Sequence, residues 1–313
     1  MLAYAVRRIL ATIPVMLFVA LFVFSLLYLA PGDPAAIIAG DQATPADVER
    51  IRASLGLDRP FVVRFGEWLW QIMHGDLGTS IFTNLPVSHM IAQRIEPTTS
   101  LMVLTILFSI VVAIPLGVVA AWKHGTWIDR CVMVLAVFGF STPVFVLGYL
   151  LAYMFALRLD WLPVQGFTPI SQGLIPFLRS LALPTIALGL IYIALLARIT
   201  RATMLEVLNQ DYVRTAKAKG VGQRAVLFVH ALKNAAVPIV TIVGIGVALL
   251  IGGAVITESV FAIPGLGRLT VDAILRRDYP VIQGVVLLFS FVYVLVNLAV
   301  DLLYTVFDPR IRY

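Results

Sequence analysis

The chain has 313 residues, of which 60% are hydrophobic and 13% are charged. This apolar share exceeds what a soluble core of this size needs, whereas membrane spans of about 20 residues account for it. The formal net charge of +6 does not indicate nucleic-acid binding, because the basic residues lie between apolar runs without interleaved aromatic residues. Cys131 is the only cysteine, which excludes an intrachain disulfide and a thiolate metal cluster.

The first apolar run, Ile9 to Ala30, follows a short basic N-terminus. At about 22 residues it is too long for a signal-peptide core, and no small-residue cleavage site precedes Pro31. We therefore predict that residues 1–30 form the N-terminus and a retained first transmembrane helix. Arg7 and Arg8 place this terminus in the cytoplasm.

Residues 31–97 are more polar, and we predict that they form a small helical segment outside the membrane. Thr44 as N-cap, with Pro45 and Asp47 in the first turn, predicts the start of a helix that Gly56 ends. A second helix follows, with one apolar face. We expect this face to pack locally or to lie at the membrane interface, and binding of a ligand is the alternative. The face consists of Phe61, Phe65, Trp68, Leu69 and Ile72.

The second and third spans are predicted at Ser100–Trp122 and Cys131–Leu157. Ser141, Thr142 and Pro143 interrupt the third span near its middle. A proline inside a span frees a backbone carbonyl, which neighbouring hydroxyl groups or water must satisfy. These three residues therefore either line a polar pathway or form a structural kink.

The last three spans are predicted at Leu181–Leu196, Ile239–Thr257 and Val281–Phe307. Six spans bring both termini to the cytoplasmic side, so the sequence predicts an all-α polytopic membrane protein. The distribution of lysine supports this topology, because every lysine of the chain falls on the predicted cytoplasmic face. Small residues in the fifth span allow close packing of helices. They are Gly244, Ala248 and Gly252.

Two acidic residues lie near the ends of spans. Glu258, at the outer end of span five, either lines a transport pathway or pairs with Arg268, and we favour pairing. Asp301, near the inner end of span six, is expected to pair with Arg198 or Arg201. Charged groups at these positions need a partner or a polar cavity, because an isolated charge in hydrocarbon is costly.

The polar stretch 198–238 separates the fourth and fifth spans. We predict an amphipathic helix over Ala202–Lys219, a break at Gly220 and Gly222, and a second helix from Gln223. The apolar stripe of the first helix would be Met204, Leu205, Leu208 and Tyr212, and that of the second Ala225, Phe228, Val229 and Leu232.

Two strings in this stretch, DYVRTAKAKG at 211–220 and HALKNA at 230–235, resemble the cytoplasmic EAA loop of ABC-importer permeases. The general loop has an acidic residue and two alanines where this chain has Arg214, Thr215 and Ala216. With these three residues the chain resembles the variant of the loop in the B-type permease subunits of dipeptide, oligopeptide and glutathione importers. Further strings that resemble this branch lie at 31–34, 258–269, 277–281 and 301–313.

The resemblance implies the fold of a type I ABC importer permease, in a bacterial inner membrane. It also implies a heterodimer with a second homologous permease, two cytoplasmic ATPase subunits and a periplasmic solute-binding protein, with peptides or glutathione as cargo. ATP would be bound by the ATPase subunits, and this chain would need no cofactor. The residues that would contact an ATPase subunit are Arg214, Thr215, Ala216, Lys217, Lys219, Gly220, Val221 and Gly222.

The sequence contains no GxxxxGK[ST] phosphate-binding loop, GxSxG elbow or HExxH motif. We therefore interpret it as a non-enzymatic subunit, with residues 98–313 as a five-helix transmembrane core that includes the loop 198–238. The alternative is a secondary transporter driven by an ion gradient. That class predicts paired broken spans and ionisable residues inside the membrane, and the sequence shows no evident repeat and few charges in the middle of its spans.

Overall fold

The computed structural model describes residues 2–29, 34–39, 43–54 and 56–307, and it is helical throughout, apart from loops and an isolated antiparallel bridge between Thr79 and Pro86. The predicted all-α class is therefore confirmed for this part of the chain. The string at 31–33 and the C-terminal string from 308 lie outside the described residues.

The α-helices are numbered in chain order. They are α1 (Leu2–Leu29), α2 (Pro34–Ala39), α3 (Pro45–Ser54), α4 (Phe61–Met73), α5 (Val87–Ala92), α6 (Ile95–Trp122), α7 (Trp127–Ser141), α8 (Val144–Leu151), α9 (Leu174–Leu208), α10 (Asp211–Ala218), α11 (Gln223–Ala225), α12 (Leu232–Asn234), α13 (Ala236–Val260), α14 (Leu266–Arg276) and α15 (Tyr279–Phe307). Shorter turns of other geometry are the π-helical Ala152–Arg158 and Val226–Ala231 and the 3₁₀-helical Ile170–Gln172.

Within the described residues, five helices are long and apolar enough to cross a bilayer. A sixth crossing results if α7 and the stretch Val144–Arg158, which are bent by 103°, count as one broken span. Five of the six predicted spans are therefore present as single helices, and the third is present if the bent pair crosses as one span. Several boundaries are shifted, and span four already begins at Leu174 instead of Leu181. Span two begins earlier, at Ile95, and span four continues to Leu208, past the polar residues that were expected to end it.

The chain divides into two compact units. Unit one consists of Met1–Ala5, Ile95–Arg268 and Leu295–Tyr313, and unit two of Val6–Arg94 and Leu269–Val294. The predicted division into 1–30, 31–97 and 98–313 refers to sides of the membrane, which is a different criterion, and it stays a prediction.

Unit one is built around α9, against which α6, α7 and α13 pack. In the apolar window of α9, 72% of the residues are buried, compared with 28% in the helix that contains α6. Close approach of α6 and α9 depends on Gly117, because a Cβ atom there would lie 2.6 Å from the Cβ of Thr200. Small residues allow such contacts between helices in lipid.

Unit two contains an aromatic cluster between α1 and α4. The ring of Phe24 lies 5.3 Å from Phe61, 5.5 Å from Phe65 and 5.2 Å from Trp68, measured between centroids. The predicted apolar face of α4 thus packs against α1, which agrees with the expectation of local packing. Such ring pairs stabilise the fold beyond the contribution of the apolar area that they bury.

The start of α3 follows the predicted capping chemistry. The amide of Thr44 donates to the Asp47 carboxylate at 3.1 Å, and the amide of Asp47 donates to the Thr44 hydroxyl at 3.3 Å. This reciprocal pair satisfies amides that have no partner inside the helix. The Thr44 hydroxyl also lowers the pKa of the Asp47 carboxyl, because it donates to the ionised form. Gly56, with φ +60°, takes the left-handed conformation after the helix.

Candidate functional site

The candidate site is the segment 211–222, which leaves α9 and forms α10, a turn and the start of α11. The predicted single helix over Ala202–Lys219 is wrong, because α9 ends at Leu208 and α10 begins at Asp211. Gln210 between them has extended backbone, with ψ 149°. Asn209 favours turns and helix ends over helix interiors, whereas Gln210 is a good helix former, and the apolar periodicity on both sides concealed this break.

The new helix phase changes which residue is buried. Val213 has no exposed surface and is the buried residue of α10, whereas Tyr212, predicted on the apolar stripe, is 43% exposed. Met204 on α9 is buried as predicted. A single apolar side chain therefore anchors α10, and burial of one valine contributes about 1.5–3 kcal/mol.

The turn after α10 is a Schellman motif centred on Gly220. The amide of Gly220 donates to the carbonyl of Lys217 at 3.0 Å, and the amide of Val221 donates to that of Ala216 at 3.2 Å. Gly220 has φ +76°, which confirms the predicted left-handed conformation. Gly222 does not share it, since its φ is −60° and ψ is 146° at the N-cap of α11.

The predicted partner-contacting residues lie on the surface of this segment. The side chains of Arg214, Thr215, Lys217 and Lys219 are exposed, and Ala216 and Val221 are half-buried. An ion pair between Arg214 and Asp211 spans 3.6 Å and is solvated on both sides, so it contributes little to stability. The segment thus presents a basic, exposed helix and turn.

The return to the membrane differs from the predicted second helix. It contains the π-helical turn Val226–Ala231, in which Val226, Leu227 and Ala231 are buried. Phe228 and Val229, predicted on the apolar stripe, are 48% and 59% exposed. The stripe is wrong for these two residues because it assumed the α-helical period, and a π-turn adds a residue that rotates the side chains. Its other two members, Ala225 and Leu232, are half-buried.

A buried ion pair supports the end of α9 from which the segment departs. Arg201 donates to Asp129 from Nε at 2.5 Å and from Nη2 at 2.8 Å. The same carboxylate accepts the amide of Gly125 at 3.0 Å and faces His124 Nδ1 at 3.1 Å. The side chain of Asp129 is 5% exposed and that of Arg201 is 21% exposed.

The sequence had suggested Asp301 as a partner for Arg198 or Arg201, and that expectation is wrong for both, since Arg201 pairs with Asp129 and Arg198 contacts the ring of Phe140. Asp129 belongs to the first turn of α7, 72 residues away in the chain. Its acidic side chain at a helix N-terminus was the available signal, but sequence position alone could not show that α7 lies beside α9.

The break between α7 and α8 has the local chemistry that the sequence indicated. Thr142 has extended backbone, with φ −91° and ψ 124°, as expected for a residue before proline. Its hydroxyl donates to the Phe138 carbonyl at 2.8 Å. Ser141 is exposed and lines a small cavity together with Arg198.

Glu258 lies in different surroundings and is fully buried. Its carboxylate accepts the Thr98 hydroxyl at 2.6 Å and the amide of Arg268 at 2.9 Å. The Thr98 hydroxyl in turn accepts the amide of Leu266 at 2.8 Å. Among the described residues no ion pair joins Glu258 to the Arg268 side chain, so the expected charge pairing is wrong, and the carboxylate instead accepts the backbone amide of Arg268 in the first turn of α14. These buried contacts favour a structural role for Glu258.

Comparison with known protein families shows to which family the chain belongs. The family described as "Binding-protein-dependent transport system inner membrane component" matches residues 113–313, and its N-terminal companion family matches residues 1–103. The chain belongs to this family. It is therefore a multi-pass inner-membrane permease component of an ABC importer, and it is a transport subunit rather than an enzyme.

Curated relatives match over the whole chain. A probable peptide ABC transporter permease protein of Sinorhizobium fredii is 54% identical, with 99% of both chains covered. A glutathione transport system permease protein of Pectobacterium atrosepticum is 44% identical, and a dipeptide transport system permease protein of Alkalihalophilus pseudofirmus is 43% identical, each with 100% of both chains covered.

A solved structure shares the fold. It is described as inward-facing conformations of the MetNI methionine ABC transporter, and it superposes with a TM-score of 0.57 over 70% of this chain and 96% of the other. The two sequences are 16% identical, so this likeness supports the type I permease architecture alone.

Proposed function

We propose that this permease forms half of a transmembrane pathway for peptides, such as dipeptides, oligopeptides or glutathione. The other half would be a second homologous permease, and a periplasmic solute-binding protein would deliver the cargo. The curated relatives that match the full chain, with names that include peptide, dipeptide and glutathione transport, support this cargo class. Both termini and residues 198–238 lie in the cytoplasm, and residues 31–97 lie outside.

The complex would contain two cytoplasmic ATPase subunits, and the segment 211–222 would bind one of them. The observation that carries this assignment is the helix and Schellman turn, in which Val213 is buried, Ala216 and Val221 are half-buried and the other side chains are exposed. An exposed, basic, pre-organised helix end is suited to a cleft in a partner protein, because little ordering entropy is lost on docking.

Movement would pass from the ATPase to α10 and then to α9. ATP binding and hydrolysis in the partner subunits would favour different positions of α10, and the spans would change between inward-open and outward-open arrangements. The cargo and the ATPase affect this equilibrium only through their different affinities for the two arrangements. Ser141, Thr142 and Pro143 at the broken span remain the proposed pathway residues, with Glu258 as a buried support at the other end.

The test is Gly220→Leu with Gly222→Ala as the control. A Cβ atom added at either position meets no atom within 4 Å, so both positions have space around the first side-chain atom. Gly220 needs φ +76°, which costs a branched residue about 1–2 kcal/mol, whereas φ −60° at Gly222 suits alanine. We expect Gly220→Leu to insert normally but to lose ATP-driven uptake, and Gly222→Ala, which adds a methyl group to the same contact without backbone strain, to lose much less of it.

The measurements are uptake of a labelled peptide and ATPase activity of the purified complex in proteoliposomes. Normal uptake by Gly220→Leu would disprove the coupling role of the segment. Uptake that follows the proton gradient and does not need ATP would instead favour a secondary transporter.

A further inference from the structure

A recess of about 190 Å³ lies in the groove between α7 and α9 in unit one. Its wall on α7 extends from Met133 to Ser141, which corresponds to about 12 Å along the helix. Its wall on α9 ends at Arg198. The recess therefore begins at the break in the third span and extends toward the polar end of α9. The lining residues are Met133, Ala136, Val137, Phe140, Ser141, Ala194, Leu195 and Arg198.

Contacts between the two helices show how the side chain of Arg198 lies in this groove. Arg201, one turn further along α9, binds Asp129 in the first turn of α7. Side chains of a helix tilt toward its N-terminus, so Arg198 points away from that end of the groove. Its guanidinium lies 5.9 Å from the centre of the Phe140 ring, near the other end of α7. An arginine that only marked the membrane surface would instead direct its charge toward the polar end of α9.

Two donors in the recess have no acceptor among the described residues. In that part of the chain no carboxylate lies within ion-pair distance of Arg198, and its contact with Phe140 leaves the guanidinium N–H groups available. The hydroxyl of Ser141 also has no partner there, whereas that of Thr142 donates to the Phe138 carbonyl. Both Ser141 and Arg198 are exposed, so a ligand can reach them. An unpaired charge on a helix that crosses the membrane usually marks a pathway for a substrate.

The chemistry of the recess restricts the occupant. A guanidinium donates two parallel hydrogen bonds to a carboxylate. A small inorganic anion would use the cation but leave the apolar wall between Ser141 and Arg198 uncovered. A peptide carries a carboxylate at its C-terminus together with apolar side chains, and about 12 Å accommodates two or three extended residues of about 3.5 Å each. At the opposite end of the recess, α7 stops before Pro143, which has no amide, so carbonyl groups of its last turn are available to an ammonium group.

We propose that this recess binds the C-terminal carboxylate of the transported peptide and that Arg198 is the residue that recognises it. The proposal rests on the peptide cargo of the proposed function. The Ser141 hydroxyl donates to the peptide, and the ammonium group of a short peptide lies toward the end of α7. The wall between them consists of small and aliphatic side chains, which do not distinguish one cargo side chain from another. The site therefore recognises the terminus that all peptides share and not their sequence.

The experiment uses the full-length chain with its co-purifying subunits in detergent, without a solute-binding protein. The probe is the photoreactive dipeptide alanyl-p-benzoylphenylalanine, and the same dipeptide with a C-terminal amide is the comparison, because only the charge of that terminus differs. Mass spectrometry locates the cross-links over a range of dipeptide concentrations. We expect the free acid to label residues 133–141 and 194–198 at about tenfold lower concentration than the amide.

Arginine variants separate recognition of the carboxylate from general charge. Arg198→Gln should raise the half-saturating concentration of the free acid about tenfold and leave that of the amide unchanged, because only the acid uses the charge. Arg198→Lys should retain part of the preference, since an ammonium group keeps the charge without the paired geometry. Arg224→Gln, at an exposed arginine of the same basic stretch, is the matched control and should behave like the parent.

Three outcomes would overturn the proposal. The first is equal labelling, or no labelling, of these residues by acid and amide. The second is an Arg198→Gln variant that labels like the parent. The third is loss of the second permease from the purified Arg198→Gln complex, because the arginine would then pair with that subunit.

Uptake of a labelled dipeptide by parent proteoliposomes, with the binding protein present, tests the proposed function separately. Uptake without labelling that depends on the carboxylate rejects this site alone. Absence of peptide uptake rejects the peptide cargo itself.

Discussion

The corner around Glu258 and the segment 211–222 belong to the same unit but are built in opposite ways. At the corner, a fully buried carboxylate and a buried threonine hydroxyl bind each other and backbone amides of residues 266–268. In the segment, one buried valine holds a helix whose polar groups face solvent. The corner is therefore fixed in one geometry by several buried contacts, whereas few buried contacts fix the position of the segment.

The largest effect is expected at the corner. Glu258→Ala leaves the amide of Arg268 and the hydroxyl of Thr98 without their acceptor, and such buried groups cost about 1–3 kcal/mol each. We expect a loss of roughly 3 kcal/mol in unfolding free energy and a lower Tm in detergent. Glu258→Gln should be intermediate, because its amide oxygen still accepts.

Ser259→Ala is the matched control, since the exposed Ser259 hydroxyl binds only the Val255 carbonyl of its own helix, at 2.9 Å. Its Tm should stay within experimental error of the parent. A Glu258→Ala variant as stable as Ser259→Ala would remove the distinction between the corner and the segment.

A second prediction compares two Asp–Arg pairs on either side of the break after α9. In a double-mutant cycle, Asp129→Asn and Arg201→Gln should show a coupling energy of about 1–2 kcal/mol, because both side chains are largely buried. The exposed pair of Asp211 and Arg214 should show a coupling indistinguishable from zero.

Unfolding free energies of the four single and two double variants give both couplings. Equal coupling energies for the two pairs would mean that the end of α9 is as loosely held as α10. A larger coupling for the Asp129 pair would place the boundary between fixed and movable structure at residues 209–210.

The smallest effect on global stability is expected for Val213→Ala. The loss of about two buried methyl groups should lower the local opening free energy of α10 by roughly 1–2 kcal/mol, with little change in Tm, because the segment opens by itself. Val229→Ala makes the same change at a 59% exposed site and should have no local effect. Hydrogen exchange of the amides in 211–222 measures the difference.

If protection of these amides is the same in both variants, Val213 is not the anchor. If the Tm falls together with protection, α10 unfolds with the rest of unit one, and the contrast with the corner is weaker than the contacts suggest.

Local chemistry could be predicted from the sequence. The capping pair of Thr44 and Asp47, the left-handed Gly220 and the extended residue before Pro143 depend on neighbouring residues in the chain. The apolar face of α4 was visible for the same reason, since its periodicity is a property of one helix.

The phase of a helix after a break, and the contacts between residues of different helices, could not be predicted in the same way. The break at Asn209 reset the helix phase and moved burial from Tyr212 to Val213, and the π-turn did the same for Phe228. The pairing of Asp129 with Arg201 and of Glu258 with backbone amides depends on which helices are neighbours, and a single sequence with no repeat carries little information on that.

The length of α9 has a mechanical consequence. Its 35 residues, which include Pro184, correspond to about 52 Å, against about 30 Å for the hydrocarbon core of a bilayer, so the helix is longer than one crossing requires. A tilt of only about 5° about one end of a rod this long displaces the other end by roughly 4–5 Å. With its side chains fixed along most of this length and α10 attached at the tip, α9 can act as a lever that converts a small rotation among the spans into a displacement large enough for a partner protein to drive or to detect.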